Sequence, residues 1–230
     1  MDRRYDTPRF DGYKAIHKAL RAFMGDTLAA ASRMDPHDAC DVAKTVEQIK
    51  TLLSFCRAHL HHENCFVHPA MEARAPGSSE RVAGEHQHHA RAIEELALDV
   101  LAVETTGGAD REAAVGVLYR NLAHFIGENF VHMHVEETAN NAVLWRAYTD
   151  AELLAIEREL VASLTPEETA RAARWMVPAL NPAERVQFLS GVRQAAPPPA
   201  FAAVLALVRP HLTDLDWRKL TTALASREAA

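Results

Sequence analysis

"CRAHLHHENCFVHP", residues 56–69, sets four histidines and a glutamate within ten positions. Such crowding has two readings: a solvated helix face that happens to be polar, or a metal site. Side-chain direction on a helix turns by about 100° per residue, so His59 and Glu63, four apart, lie one turn along the same face. Ile49, Leu53, Cys56 and Leu60 mark an apolar stripe on this segment. An imidazole and a carboxylate that coincide with such a stripe point inward, and Cys56 reads as a small core residue.

The spacing recurs in "HMHVEE", residues 132–137, where His132 and Glu136 are again four apart. Two copies of HxxxE on different helices are far more specific than one. His17 keeps heptad register with Phe10, Met24 and Ala31, so it points into the core from an earlier segment. In "EHQHH" (85–89), His86 precedes Ile93 by one heptad and Val100 by two, near the middle of its stripe. His89, a turn later, lies nearer the edge and reads as a further ligand or as a donor that orients one. Four segments therefore each aim an imidazole inward, and two of them add a carboxylate. A buried carboxylate costs several kcal/mol if left unpaired, and cations between the two glutamates remove that cost. Imidazole with carboxylate suits iron, manganese or zinc, whereas the lack of thiolate disfavours iron–sulfur clusters and copper(I). Two bridging glutamates with four or five histidines describe a dinuclear non-haem iron site that has room for a small exogenous ligand.

The surrounding chain reads as all-α, without a convincing period-2 strand. The first segment is expected from about Pro8 to Ser32. Asp35-Pro36-His37-Asp38 then reads as a helix start, with Asp35 as the N-cap and Pro36 in the first helical position. The second helix is expected to reach about Ala73, bent or ended by Pro69. "APGSSE" (75–80) is a turn whose Ser78 and Ser79 can cap a third helix to about Val103, and "TTGGAD" (105–110) precedes a fourth to about Tyr148. Gly84, Gly116 and Gly127 inside these helices each cost about 1 kcal/mol relative to Ala and are expected to allow close helix approach. Four long amphipathic segments with short polar turns predict an up-down-up-down four-helix bundle over 8–148. Beyond it, 149–230 is expected to form a C-terminal helical appendage docked on the bundle. Its helices open on the capping boxes "TDAE" (149–152), "TPEE" (165–168) and "NPAE" (181–184), and "APPPA" (196–200) breaks the chain before the last two.

Composition narrows the function classes. A net charge of −6 without a basic stripe argues against nucleic-acid binding. The start of the chain lacks the apolar core of a secretory signal, and its longest apolar run, "FAAVLALV" at 201–208, is too short to span a membrane. Three cysteines without a CxxC give neither a disulfide framework nor a thiolate site, so a cytoplasmic protein is expected.

Over residues 8–148 the chain resembles the hemerythrin-like (HHE cation-binding) proteins, through His17, "HLHHE" with His59 and Glu63, "EHQHH" with His86, and "HMHVEE" with His132 and Glu136. The resemblance implies that these six are iron ligands, with Glu63 and Glu136 bridging an oxo- or hydroxo-bridged pair of non-haem irons, ahead of manganese or zinc. Members of the family bind dioxygen reversibly, respond to oxygen, nitric oxide or iron, or take part in repair of nitrosatively damaged iron centres. Oxygen-carrying hemerythrins have HxxxH on the third helix and end in HxxxxD; this chain has His86 and His89 as HxxH, and ends in HxxxE. Such changes occur in the bacterial and iron-regulatory branches, so the metal site carries over, while the oxygen-carrier role does not follow from the resemblance.

The expectation is a cytosolic di-iron protein that binds or senses a small gas or oxidant, walled by Phe125, Phe66, Leu52 and Met24. No catalytic residue is assigned, and binding or sensing is placed ahead of an enzyme. The alternatives are a di-iron oxidase or peroxidase-like enzyme, and an interaction protein stapled by metal whose C-terminal helices bind a protein partner. His61, His62, His68, His88, His124 and His134 read as ordinary, and Glu85 and Glu137 as facing water.

Overall fold

The computed structural model describes residues 9–226, so Pro8, the expected start of the first segment, lies outside them. All regular structure among the described residues is helical. The described residues form two compact units: residues 9–14 with Phe23–Ser163, and Ala15–Ala22 with residues 164–226. One helix, α1 (Tyr13–Arg33), contributes to both. Its heptad residues His17, Met24 and Ala31 are all buried.

Helix α2 (Ala39–His62) starts later than the sequence suggests. Asp38, not Asp35, is its N-cap: Asp38 has extended backbone, and its carboxylate accepts from the Cys40 and Asp41 amides. Asp35 instead accepts from the His37 amide at 2.8 Å, which closes a turn that contains Pro36. Pro69 does not end the run. The chain passes through a π turn, Glu63–Val67, into α3 (His68–Arg74), with the His68 amide donating to the Glu63 carbonyl five residues back.

Ser79 precedes α4 (Glu80–Thr105) but does not cap it, because its backbone is already helical and its hydroxyl donates to Glu72 at 2.7 Å. Gly108, at φ +56°, opens α5 (Gly108–Val135) in a conformation that side chains disfavour. Helix α5 also widens, at Glu136–Asn140, before α6 (Asn141–Ala147); the Asn141 amide donates to the Glu136 carbonyl. The two HxxxE pairs thus end at matching places, each glutamate opening a π turn.

Side-chain pairs fix the directions of packing. Lys50 meets Glu104 and Arg57 meets Glu94, so α2 and α4 run antiparallel. Asn121 meets Asp99 and His132 meets Glu85, so α4 and α5 do too. Gly84 and Gly127 do not serve close approach: a Cβ there would meet no heavy atom within 4 Å. At Gly116 the nearest group is the flexible end of Arg120. Helix α7 (Asp150–Ser163) completes this unit, held by Arg9 to Asp150 and by Arg74 to Glu152.

The second unit comprises α8 (Pro166–Ala179), α9 (Pro182–Ala195), α10 (Pro198–Val208) and α11 (Asp214–Ser226), together with Ala15–Ala22. Thr165 with Glu168 and Asn181 with Glu184 form reciprocal capping boxes, as their spacing predicts. Ala173, Val177, Leu189, Phe201, Val208 and Leu220 are buried in its core. Arg185 donates to the Val177 and Pro178 carbonyls at the end of α8. Lys18 reaches Glu184 at 2.6 Å.

Candidate metal centre

Two groups of four ligand-type side chains share their carboxylates. His17, His59, Glu63 and Glu136 form one, and Glu63, His86, His132 and Glu136 the other; within each, one ligand atom per residue lies within 4.8 Å of every other. Glu63 is 3 % exposed and Glu136 is fully buried. Inside the first group His59 Nε2 is 3.3 Å from Glu63 Oε1. In the second, His86 Nε2 is 3.4 Å from Glu63 Oε2 and 3.5 Å from Glu136 Oε1. His132 Nε2 approaches Glu136 Oε1 at 3.2 Å and His86 Nε2 at 3.0 Å. The four residues of the two HxxxE pairs therefore converge with His17 and His86.

His89 falls outside both groups, although it is buried and its ring centroid lies 4.8 Å from that of His132. Burial first, then His132, pull its pKa down to about 4, so it is neutral at pH 7.

Acceptors on the far side of two imidazoles set their tautomers. His132 Nδ1 donates to Glu85 Oε2 at 2.7 Å, and His86 Nδ1 donates to Asn64 Oδ1 at 2.8 Å. Each ring then presents the Nε2 lone pair to the glutamates, the orientation a metal requires. Glu85 is itself held by Arg81 at 2.9 Å. Burial lowers the pKa of His132, but Glu136 and Glu85 outweigh burial and leave it raised. A positive charge is favoured at this point, and a metal ion supplies one.

Several neighbours escape the sequence reading. Glu85 does not simply face water; it is the acceptor for His132. Nothing in its spacing signals this, because the contact crosses from α4 to α5. His68 is not ordinary either: it is buried, with its ring centroid 4.7 Å from that of His86, and burial followed by His86 pulls it down to about 4. Nine residues after His59, an unbroken α-helix would turn it to about the opposite face. The π turn winds less per residue and returns it inward. Tyr13 is buried, accepts from Asn140 at 3.3 Å, and has its pKa raised well above normal, first by burial and then by Glu63 and Glu136. It stays a neutral phenol beside two carboxylates.

Of the expected walls, Phe125, Leu52 and Met24 are buried, while Phe66 is partly exposed. Cys56 is a core residue as expected, its thiol pushed up to about 12 by burial. No helix among the described residues is long and apolar enough to cross a membrane.

The model of one protein family, described as the Hemerythrin HHE cation binding domain, matches residues 10–141, which include every residue of both groups. No curated protein and no solved structure matches the chain.

Proposed function

The chain belongs to the hemerythrin HHE cation-binding family, and from that membership we propose that it is a non-haem di-iron protein. In this reading it binds or senses a small ligand, dioxygen, nitric oxide or peroxide, in the cytoplasm, as part of an iron, oxidative or nitrosative stress response. One observation carries the reading: two groups of four, all buried but for the partly exposed His59, that hold both glutamates in common. His17 and His59 would serve one iron, His86 and His132 the other, and Glu63 and Glu136 both. Iron, when bound, supplies a change of oxidation state and coordination positions beyond those the protein fills.

The chain's own residues do the rest. Glu85 and Asn64 hold two imidazoles in the liganding tautomer. His68 and His89, both neutral at pH 7, add no charge that would oppose a cation. Phe125, Leu52 and Met24 belong to the buried interior, which limits water. The Tyr13 hydroxyl keeps its proton beside the two carboxylates.

Tyr13 is also the observation that favours a second reading, a di-iron oxidase or peroxidase-like enzyme, since reduction of an oxidant consumes protons. Steady-state peroxide consumption separates the two: many turnovers favour the enzyme, and a spectrum that reverses with ligand pressure favours the binder. Metal analysis with a visible spectrum tests both. About two irons per chain with ligand-to-iron charge-transfer bands is expected for imidazole–carboxylate iron, and one metal or none sinks the proposal.

A further inference from the structure

Helix α5 carries a third HxxxE upstream of its buried pair. His124, Glu128, His132 and Glu136 stand at intervals of four, an alternating row of imidazole and carboxylate about 18 Å long at 1.5 Å per residue. A period of four overshoots one helical turn by about 40° per step, so the row winds around the helix from one side to another. Its side-chain exposure falls from 75 % at His124 and 34 % at Glu128 to 3 % at His132 and 0 % at Glu136. The row starts in solvent and ends at Glu136, a carboxylate that both groups share.

A cleft of about 720 Å³ between α4 and α5 follows this row, lined by His88, His124 and Glu128 and by His89, Glu85 and His132. Gly84 and Gly127 also line it, and the open space beside each is where a side chain would obstruct it. At the exposed end, one oxygen of Glu128 lies 3.2 Å from His88 Nε2 and 3.4 Å from His124 Nδ1. Tetrahedral sites with metal–ligand bonds of about 2.0–2.1 Å place neighbouring ligand atoms about 3.3 Å apart. Two edges of such a site therefore have the right length, while the third is open: the three ligand atoms do not all lie within 4.8 Å of one another, and closing the site takes a swing of the exposed His124 toward His88. Further along, His89 is 3 % exposed and its Nδ1 has no hydrogen-bond partner.

We propose that His88, His124 and Glu128 form a surface site for a divalent cation, and that the cleft passes the cation along the row to His132. The site stands on its own geometry; the transfer rests on the di-iron reading of the buried centre. Each move exchanges one ligand for another without change of oxidation state, through imidazole nitrogens and carboxylate oxygens. Such a route removes water from the cation stepwise, which a direct passage through the packed interior would not allow.

Two measurements on the full chain test this. Equilibrium dialysis of metal-free protein against Zn²⁺ should leave H88A/H124A with about one zinc per chain fewer than wild type. Both positions are exposed, so the variant should fold normally. In anaerobic stopped-flow, Fe(II) uptake by the buried centre should slow about tenfold in H88A/H124A at unchanged final iron content. Gly127→Leu, which fills the cleft and leaves every ligand in place, should slow uptake while keeping the zinc count. Equal zinc counts in wild type and H88A/H124A overturn the site. A lost zinc with unchanged uptake rates in both variants overturns the transfer. Wild-type protein that holds the surface zinc but takes no iron inside overturns the di-iron reading and leaves the surface site in place.

Discussion

Glu85 shows how much of the centre depends on a residue that never faces the other carboxylates. Its carboxylate fixes the His132 ring from behind and is anchored by Arg81. Glu85→Ala should weaken metal at the His132 side by about 10–100-fold, read by competition with a chromophoric chelator. Glu63→Ala or Glu136→Ala should instead abolish dinuclear binding, because each removes a ligand from both groups at once. His61→Ala, at an exposed position, should leave metal content unchanged. The two depressed histidines give a pH dependence. His68 and His89 sit at about 4 in the fold, against about 6.5 in an unfolded chain. Over that interval the unfolded state binds protons that the native state refuses, so the metal-free protein should lose stability as pH falls from about 6.5 to 4. Urea melts at several pH values measure this, and a flat profile would refute it. At this scale the convergence of His17, His59, Glu63, His86, His132 and Glu136 was legible, because HxxxE spacing and heptad register are properties of one helix. Glu85, His68 and Tyr13 were not, since their importance comes from neighbours on other helices or from a local change of winding.

Helices announce themselves in this chain by period and by caps, and the two signals are not equally reliable. Thr165 and Asn181 cap where their spacing says, with both bonds of each box made. Thr165→Ala should destabilise the protein by about 1 kcal/mol, measured by denaturant unfolding. Asp35 and Asp38 compete for the start of α2, and Asp38 wins because the chain still needs a turn after Met34. Asp38→Ala should likewise cost about 1 kcal/mol. Ser79 fails as a cap for a different reason: Glu72 takes its hydroxyl and its amide together. The π turns were invisible in the sequence. A periodicity of 3.6 sees only a helix that continues past Pro69, and nothing local tells that one turn is wider. Their position is nonetheless systematic, since both begin at a shared glutamate.

On the scale of the whole molecule, the front of the chain carries the chemistry and the rest carries a second core. Leu189 and Val177 are fully buried there, and Leu189→Ala should cost about 2–5 kcal/mol, seen as a lowered urea midpoint. Metal should stabilise the native state in turn: at free iron about a thousandfold above Kd the gain is about 4 kcal/mol, so chelation should lower Tm in calorimetry. The histidine-rich half was legible because metal chemistry constrains residue type as well as spacing, whereas helical caps and apolar mass in the second half declare structure without declaring a task. The paired π turns expose one more property of the assembly. One hairpin, α1 with α2, provides His17, His59 and Glu63; the other, α4 with α5, provides His86, His132 and Glu136. Each is imidazole, then imidazole–carboxylate, then a widened turn, so the six side chains repeat one pattern, which in the di-iron reading would treat the two metal positions alike. Any inequality between them would come from the surroundings of each side chain, and Glu85 holds the far nitrogen of His132. Mössbauer spectra of the iron-loaded chain should accordingly show two distinct ferric environments whose difference narrows in Glu85→Gln.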